Sequence, residues 1–240
     1  MKKHPLTLLL AMASGLATSI TTHAAVITWG AATNITPAAT GELSDVSTNG
    51  SLIGAFNVGD TGVAAATLNG VTFQSFAVPN GSAGATVGNF SIATAPAGST
   101  NIGFGSGAAP FGTLSSAYQT FLASGLGQGF GFTLTISGLN VGTEYEFQWW
   151  VNQSSSSQKT STATAGNTVT LLSRVPEAAG AVGQFAIGTF TADSATESVA
   201  FGGVLARLNG FQLRQVPEPS TWALLGLGLP ALLAFRRRKA

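Results

Sequence analysis

The sequence predicts an all-β protein: a single β-sandwich of jelly-roll type with one short helix, set between two terminal apolar segments. Three observations predict it. Apolar residues alternate with polar ones in short runs, Asn-Gly dipeptides separate the runs, and one segment alone has helical spacing. Successive side chains of a strand point to opposite faces, so a half-buried strand reads as every second residue apolar.

In chain order, residues 26–30, 52–58, 70–78 and 86–94 read as strands. The clearest run is Phe130, Phe132, Leu134 and Ile136, interleaved with Gly131, Thr133 and Thr135. Ser137-Gly138-Leu139-Asn140-Val141-Gly142 then makes a turn. Tyr145, Phe147, Trp149 and Val151 follow, alternating with Glu144, Glu146, Gln148, Trp150 and Asn152. These two runs read as neighbouring strands with one shared apolar face. Further strands are expected over 158–164, 168–174, 184–192, 196–201 and 205–214, and the apolar phase slips near Gly188 as it would at a bulge. Asn49-Gly50, Asn69-Gly70, Asn80-Gly81 and Asn209-Gly210 supply turns, because Asn and Gly accept positive φ cheaply. Leu114, Tyr118, Phe121 and Leu122 fall at i, i+4, i+7 and i+8, which predicts an amphipathic helix over 114–124 capping the core. The glycine-rich stretch 98–112 before it reads as a long loop. About ten strands with no repeat and no internal linker make one domain, residues 25–215.

The ends read differently. Lys2 and Lys3 precede an apolar run over 6–20 and then the small residues Ala24 and Ala25, the order of a secretory signal peptide. Thr22-His23-Ala24 is an acceptable cleavage triplet, so residues 1–24 form the expected leader, cut after Ala24 or Ala25. The apolar run is short of the roughly 20 residues that a membrane span needs. At the other end, Pro217-Glu218-Pro219 leads into an apolar stretch over 222–235, closed by Arg236, Arg237, Arg238 and Lys239. About 14 residues make a helix of roughly 21 Å, thin against a hydrocarbon core of about 30 Å. The four cations act as a stop and hold the C-terminus on the cytoplasmic side.

Residues 216–240 resemble the PEP-CTERM sorting signal, in which a Pro-Glu-Pro motif precedes a short transmembrane helix and a basic tail. The resemblance implies an exosortase as partner, with export through the Sec translocon and signal peptidase. It also implies transient anchoring in the inner membrane of a Gram-negative bacterium, then residence in the cell envelope or the extracellular matrix beside exopolysaccharide. The body, through Thr28-Trp29-Gly30, the 139–145 turn and the 183–193 segment, resembles β-sandwich modules of exported bacterial proteins, similar to galactose-binding and carbohydrate-binding jelly rolls.

Charge and composition limit the chemistry. The formal charge of +1 rests on the ends. Between Ala25 and Gln215 the bases are Lys159, Arg174, Arg207 and Arg214; the acids are Glu42, Asp45, Asp60, Glu144, Glu146, Glu177, Asp193 and Glu197. A mildly acidic body with scattered cations has no footprint for nucleic acid. There is no cysteine, and both histidines, His4 and His23, lie in the leader. Ser-His-Asp and Cys-His catalysis and His-ligated zinc or haem are therefore excluded from the body.

What remains is a short set of candidates. Trp150, with Glu146, Gln148 and Asn152 on the same strand face, could stack on a sugar ring while the polar groups bond its hydroxyls, unless a second layer covers that face. Asp45 and Asp60, among Ser, Thr and Asn oxygens, could hold Ca²⁺, the one cofactor the sequence leaves open. Glu144 and Glu146, two apart and about 7 Å from each other, have the spacing of an inverting glycosidase pair, but strands normally place such charges in solvent. The resulting expectation is an exported, non-enzymatic module that binds glycan or associates with exopolysaccharide. The alternative is a structural, adhesive protein that self-associates, and behind it a carboxylate glycoside hydrolase.

Overall fold

The computed structural model describes residues 25–94, 99–101 and 103–217. The expected leader 1–24 and the expected sorting signal from Glu218 onward, with its apolar stretch and basic tail, lie outside the described residues. Among the described residues no helix is long and apolar enough to cross a membrane.

In chain order the first half contains β1 (Thr28–Trp29), β2 (Thr33–Asn34), α1 (Glu42–Asp45), β3 (Ser51–Gly59), β4 (Ala66–Leu68), β5 (Val71–Ala77), β6 (Gly84–Val87), β7 (Phe90–Thr94) and β8 (Ser99–Asn101). Then come α2 (Ser116–Leu122), β9 (Gly125–Gln128), β10 (Phe132–Ser137), β11 (Glu144–Val151), β12 (Thr160–Ala165) and β13 (Asn167–Leu172). β14 (Gln184–Thr191), β15 (Thr196–Gly202), β16 (Ala206–Leu208) and β17 (Gly210–Gln215) complete the chain.

Eight of these strands form the expected jelly roll. One sheet carries β3, β17, β11 and β14 in that order, and the facing sheet carries β10, β15, β12 and β13. Each of the pairs β3 with β17, β10 with β15, β11 with β14, and β12 with β13 is antiparallel. First therefore pairs with last, second with second-last, and so inward, as in a long hairpin wound around a barrel axis. β5, parallel to β3, and β4 widen the first sheet to eight strands, with β1 and β2 beside β14. β7 and β6 widen the second to six, while β16, β9 and β8 form a separate small sheet.

This winding corrects one sequence reading. β10 and β11 are consecutive but lie in opposite sheets, so Leu134 and Ile136 meet Phe147 and Trp149 across the core rather than beside them. Trp149 meets Phe201 edge to face at 5.1 Å, and Phe56, Phe90 and Phe211 close the centre at 4.9–5.7 Å. Such burial, at roughly 1.5–3 kcal/mol per large side chain, is the main term holding the two sheets together.

The larger sheet is covered on its other face as well. α2 begins at Ser115, whose hydroxyl accepts the Tyr118 backbone N–H at 3.1 Å, and its apolar stripe of Tyr118, Phe121 and Leu122 is fully buried. With Phe111, Leu114, Ile35 and Val46 it forms a second core over Trp150, Phe185 and Phe73. The expected helix is therefore present, and shorter than 114–124.

That second layer accounts for the phase slip at Gly188. Pairing of β14 with β11 and β1 runs through Gly188 without a break. Ala186 and Phe190 face the inter-sheet core, whereas Phe185 and Ile187 face the second. A strand buried on both faces loses its alternation without bulging. The register shift in this sheet lies instead between Leu213 and Arg214.

Other differences are local. Asn69 and Gly70, with φ of 47° and 74°, make the expected tight turn between β4 and β5. Asn209 is no turn residue: it is fully buried where the chain passes from β16 to β17, and its side chain bonds three backbone groups. The expected 86–94 strand is a hairpin of β6 and β7, and the 98–112 loop contains β8.

Gly183, just before β14, donates its N–H to Asn152 Oδ1 at 3.1 Å, and a Cβ there would overlap the Val151 carbonyl oxygen. Gly183→Ala should lower stability by about 1–3 kcal/mol, read as a reduced urea midpoint at unchanged slope.

Candidate functional site

Trp150, Glu146, Gln148 and Asn152 do share one face of β11, as their spacing requires. That face is closed. Trp150, Gln148 and Asn152 are fully buried, and Glu146 is nearly so. The Trp150 ring sits edge to face with Phe73 at 5.5 Å and with Phe121 at 5.3 Å, so no sugar can stack on it.

The polar members bind the segment that covers them. Gln148 Nε2 donates to the Asp45 carbonyl at 2.6 Å, and its Oε1 accepts from Ser47 N at 3.0 Å and Gln212 Nε2 at 2.7 Å. Two residues earlier on the same strand, Glu146 lies opposite Arg214. Asn49 Nδ2 donates to Glu146 Oε2 at 3.1 Å, while Arg214 donates to the carbonyls of Thr48, Asn49 and Gly50. Burial draws the Arg214 guanidinium below its ordinary range, and Glu146 opposite raises it again. Asn152 fastens the other end, donating to the Leu122 carbonyl at 3.0 Å. The face expected to bind glycan is thus a polar seam between the sheet and its cover. Glu144 and Glu146 are likewise not presented as two open carboxylates.

Asp45 and Asp60 do not form a common site. Asp45 is buried and accepts from Thr36 N and Oγ1, both at 2.7 Å, from Ser44 Oγ at 3.1 Å and from the Tyr118 hydroxyl at 3.0 Å. Burial first, and the Asp45 charge second, push the Tyr118 phenol well above its ordinary value. Asp60 instead orders its own loop through the N–H groups of Thr61 and Asn80. Among the described residues no group of three or more His, Cys, Asp or Glu side chains is gathered.

The open surface is the outer face of the six-stranded sheet. One row across it reads Thr168, Thr164, Ala200, Thr133, Ala93, Gly84, and the next reads Ser198, Thr135, Ser91, Thr86. Glu197 is the single charged residue in these six strands, and it points inward. The face is therefore a flat field of hydroxyls and methyls. Several hydroxyls pair across strands, Thr164 with Thr168 at 2.8 Å and Thr86 with Ser91 at 3.0 Å.

Phe130 stands at its edge, 80% exposed. The sequence alternation placed it inside, as the first residue of β10. Gly131, at φ +80°, breaks the phase, because a Cβ there would overlap the Phe201 carbonyl oxygen. Phe130 thus forms one wall of a shallow cleft of about 350 Å³ floored by Ala93, Thr133 and Ala200. Its sequence signal was present: an aromatic residue between two glycines, Gly129 and Gly131, at a strand entry. A second neutral cleft of about 550 Å³ lies beside α2, lined by Ser106, Ser116, Gln119 and Thr120, but its aromatic residue, Phe111, is buried.

Residues 215–239 match the PEP-CTERM protein-sorting motif. The motif marks the chain for export and for transient membrane anchoring, with an exosortase as its processing partner. It begins where β17 ends: Val216 N still donates to the Glu144 carbonyl at 3.0 Å, and Pro217 is exposed. No curated protein matches the chain. Among solved structures it is similar to an exo-β-1,3-galactanase of Phanerochaete chrysosporium with bound galactose, at 20% identity over 53% of this chain and a TM-score of 0.27. The same galactanase with β-1,3-galactotriose matches at 18% identity over 60% of this chain, also at 0.27. The chain spans 30% and 31% of those two. A structure of carbohydrate-binding modules of the β-sandwich superfamily matches at 9% identity and a TM-score of 0.14, covering 57% of this chain and 66% of that one. Likeness this loose transfers neither a site nor an activity.

Trp150→Ala should lower stability by about 3–5 kcal/mol, the cost of an emptied aromatic site in a core. Phe130→Ala should change it by no more than about 0.5 kcal/mol. Equilibrium denaturation of the two variants distinguishes the buried face from the open one.

Proposed function

We propose that this protein is an exported, exosortase-sorted envelope or matrix component whose open sheet face lies against neutral polysaccharide. In this reading the leader is removed after Ala24, Pro217-Glu218-Pro219 directs sorting, and the body works in the extracellular polymer. The observation that carries it is Phe130, exposed beside a charge-free field of Thr, Ser and Ala. A flat ring offers the C–H face of a pyranose an apolar contact, and convergent hydroxyls offer its O–H groups partners. A face without cations favours neutral sugars over uronates, which would need a counter-charge. No catalytic step is assigned to the body.

The binding test is retention of the exported protein on immobilised neutral polysaccharides, with a uronate polymer for comparison. Binding should weaken at least tenfold in Phe130→Ala and in Thr133→Glu. It should also change little between low and high salt, since no ion pair is involved. Equal binding by both variants would remove this face from the account. The exposed trio Phe130, Val204 and Leu205 favours the second reading, self-association. Sedimentation that depends on concentration, abolished by Phe130→Ala in the absence of glycan, would select it.

Sorting is tested separately. Glu218→Ala should leave the full-length precursor in the membrane fraction, detected as retention of the C-terminal segment by mass spectrometry.

A further inference from the structure

Glu197 is 1% exposed, and its Oε2 has no hydrogen-bond partner among the described residues. The other carboxylate oxygen accepts the Ser198 backbone N–H at 3.0 Å. No Lys or Arg occurs in β10 and β12, the strands flanking β15, or among residues 25–35. The remaining charged group that acts on it is Asp193, of the same sign. A buried carboxylate with an orphan oxygen and no counter-charge among the described residues is a costly feature.

The backbone N–H of Ala25 also favours the ionised form of Glu197. Ala25 is buried in the inter-sheet core, and Ile27 behind it is fastened by donating its N–H to the Ala165 carbonyl at 2.9 Å. Ala25 is also the residue that follows the expected leader. We infer that cleavage at the Ala24–Ala25 bond creates the missing partner: the new α-ammonium of Ala25 forms a buried ion pair with Glu197, locking the N-terminal segment into the sandwich.

The inference rests on the leader being removed, as proposed above, and it selects one of the two possible cuts. Hydrolysis consumes one water, leaves a carboxylate on Ala24 and an amine on Ala25, and the amine takes up a proton at neutral pH. One amide N–H becomes an ammonium with three, and it carries the absent positive charge. A cut after Ala25 would instead place the ammonium on Val26, which is 55% exposed.

The two forms should respond to pH in opposite ways. With the leader attached, burial raises the Glu197 carboxyl from 4.5 to about 7, offset in part by the Ser198 and Ala25 N–H groups. A raised acid stabilises the fold below its unfolded value and loses that contribution as pH rises through the folded value. The uncleaved chain should therefore weaken between about pH 4.5 and pH 7. In the processed protein the ammonium holds Glu197 ionised, and the amine's own raised value keeps the pair intact until more alkaline pH.

The test uses the protein exported with its own leader. Intact mass should place the N-terminus at Ala25. The α-amine, labelled by ¹³C reductive methylation and titrated by NMR, should titrate at least one unit above the ordinary range of about 7.7–8.0. In Glu197→Gln it should return to that range. Glu197→Gln should also lower the melting midpoint of the processed protein by at least about 3 °C. It should not lower that of Ala24→Leu, in which the bulky residue blocks cleavage. A leader left intact on the wild-type protein would overturn both the export reading and this one. Cleavage at another bond, or an Ala25 amine with an ordinary titration, would overturn this inference alone, and the wild-type titration requires no variant to fold.

Discussion

Trp149 and Trp150 are consecutive residues of β11, point to opposite sides of one sheet, and are both fully buried. The architecture follows from that pair. A strand cannot bury two adjacent indoles unless both faces of its sheet are covered. The six-stranded sheet covers one through Phe201, and the α2 layer covers the other through Phe121. The eight-stranded sheet thereby becomes the middle of three layers, and the six-stranded sheet is left with the open face.

The distribution of polar groups follows the same division. Where the α2 layer and the 36–50 segment close over the middle sheet, buried Gln148, Gln212, Asn152, Asp45 and Arg214 bond mainly to backbone groups of the cover. These bonds fix the position of a segment that contains little regular structure of its own, which an apolar seam would not do. The six-stranded sheet has the opposite character. Its buried side is apolar apart from Glu197, Ser161 and Thr94, and its open side carries hydroxyls and methyls. Such a surface has no electrostatic preference and makes contact by shape, dispersion and hydrogen bonding. That suits the contact with neutral polysaccharide proposed above.

Much of the fold was legible in the residues. Period-two runs located β3, β5, β10, β11 and β12 through β15 to within a few residues, because alternation directly reports a half-buried strand. The 3.6-residue spacing of Leu114, Tyr118, Phe121 and Leu122 located α2. The errors had a common source. Phe130 has the right phase for β10 but the wrong backbone. Gly188 looked like a bulge because β14 is apolar on both faces. Trp150 looked exposed because its neighbours Glu146, Gln148 and Asn152 are polar, and a polar neighbour on a strand does not reveal whether another layer lies above it.

The sequence by itself determined the sorting signal and the class: a sorting motif at the C-terminus, a body without Cys or His, and strands with one capping helix. Those depend on residue identity and local spacing, which act through contacts a few residues long. The tertiary structure alone decided which faces meet water. β10 and β11 are separated by a short turn yet belong to opposite sheets, and the Asp45 carboxylate meets Tyr118 from 73 residues away. Exposure is set by such long-range closures, and local periodicity carries no record of them.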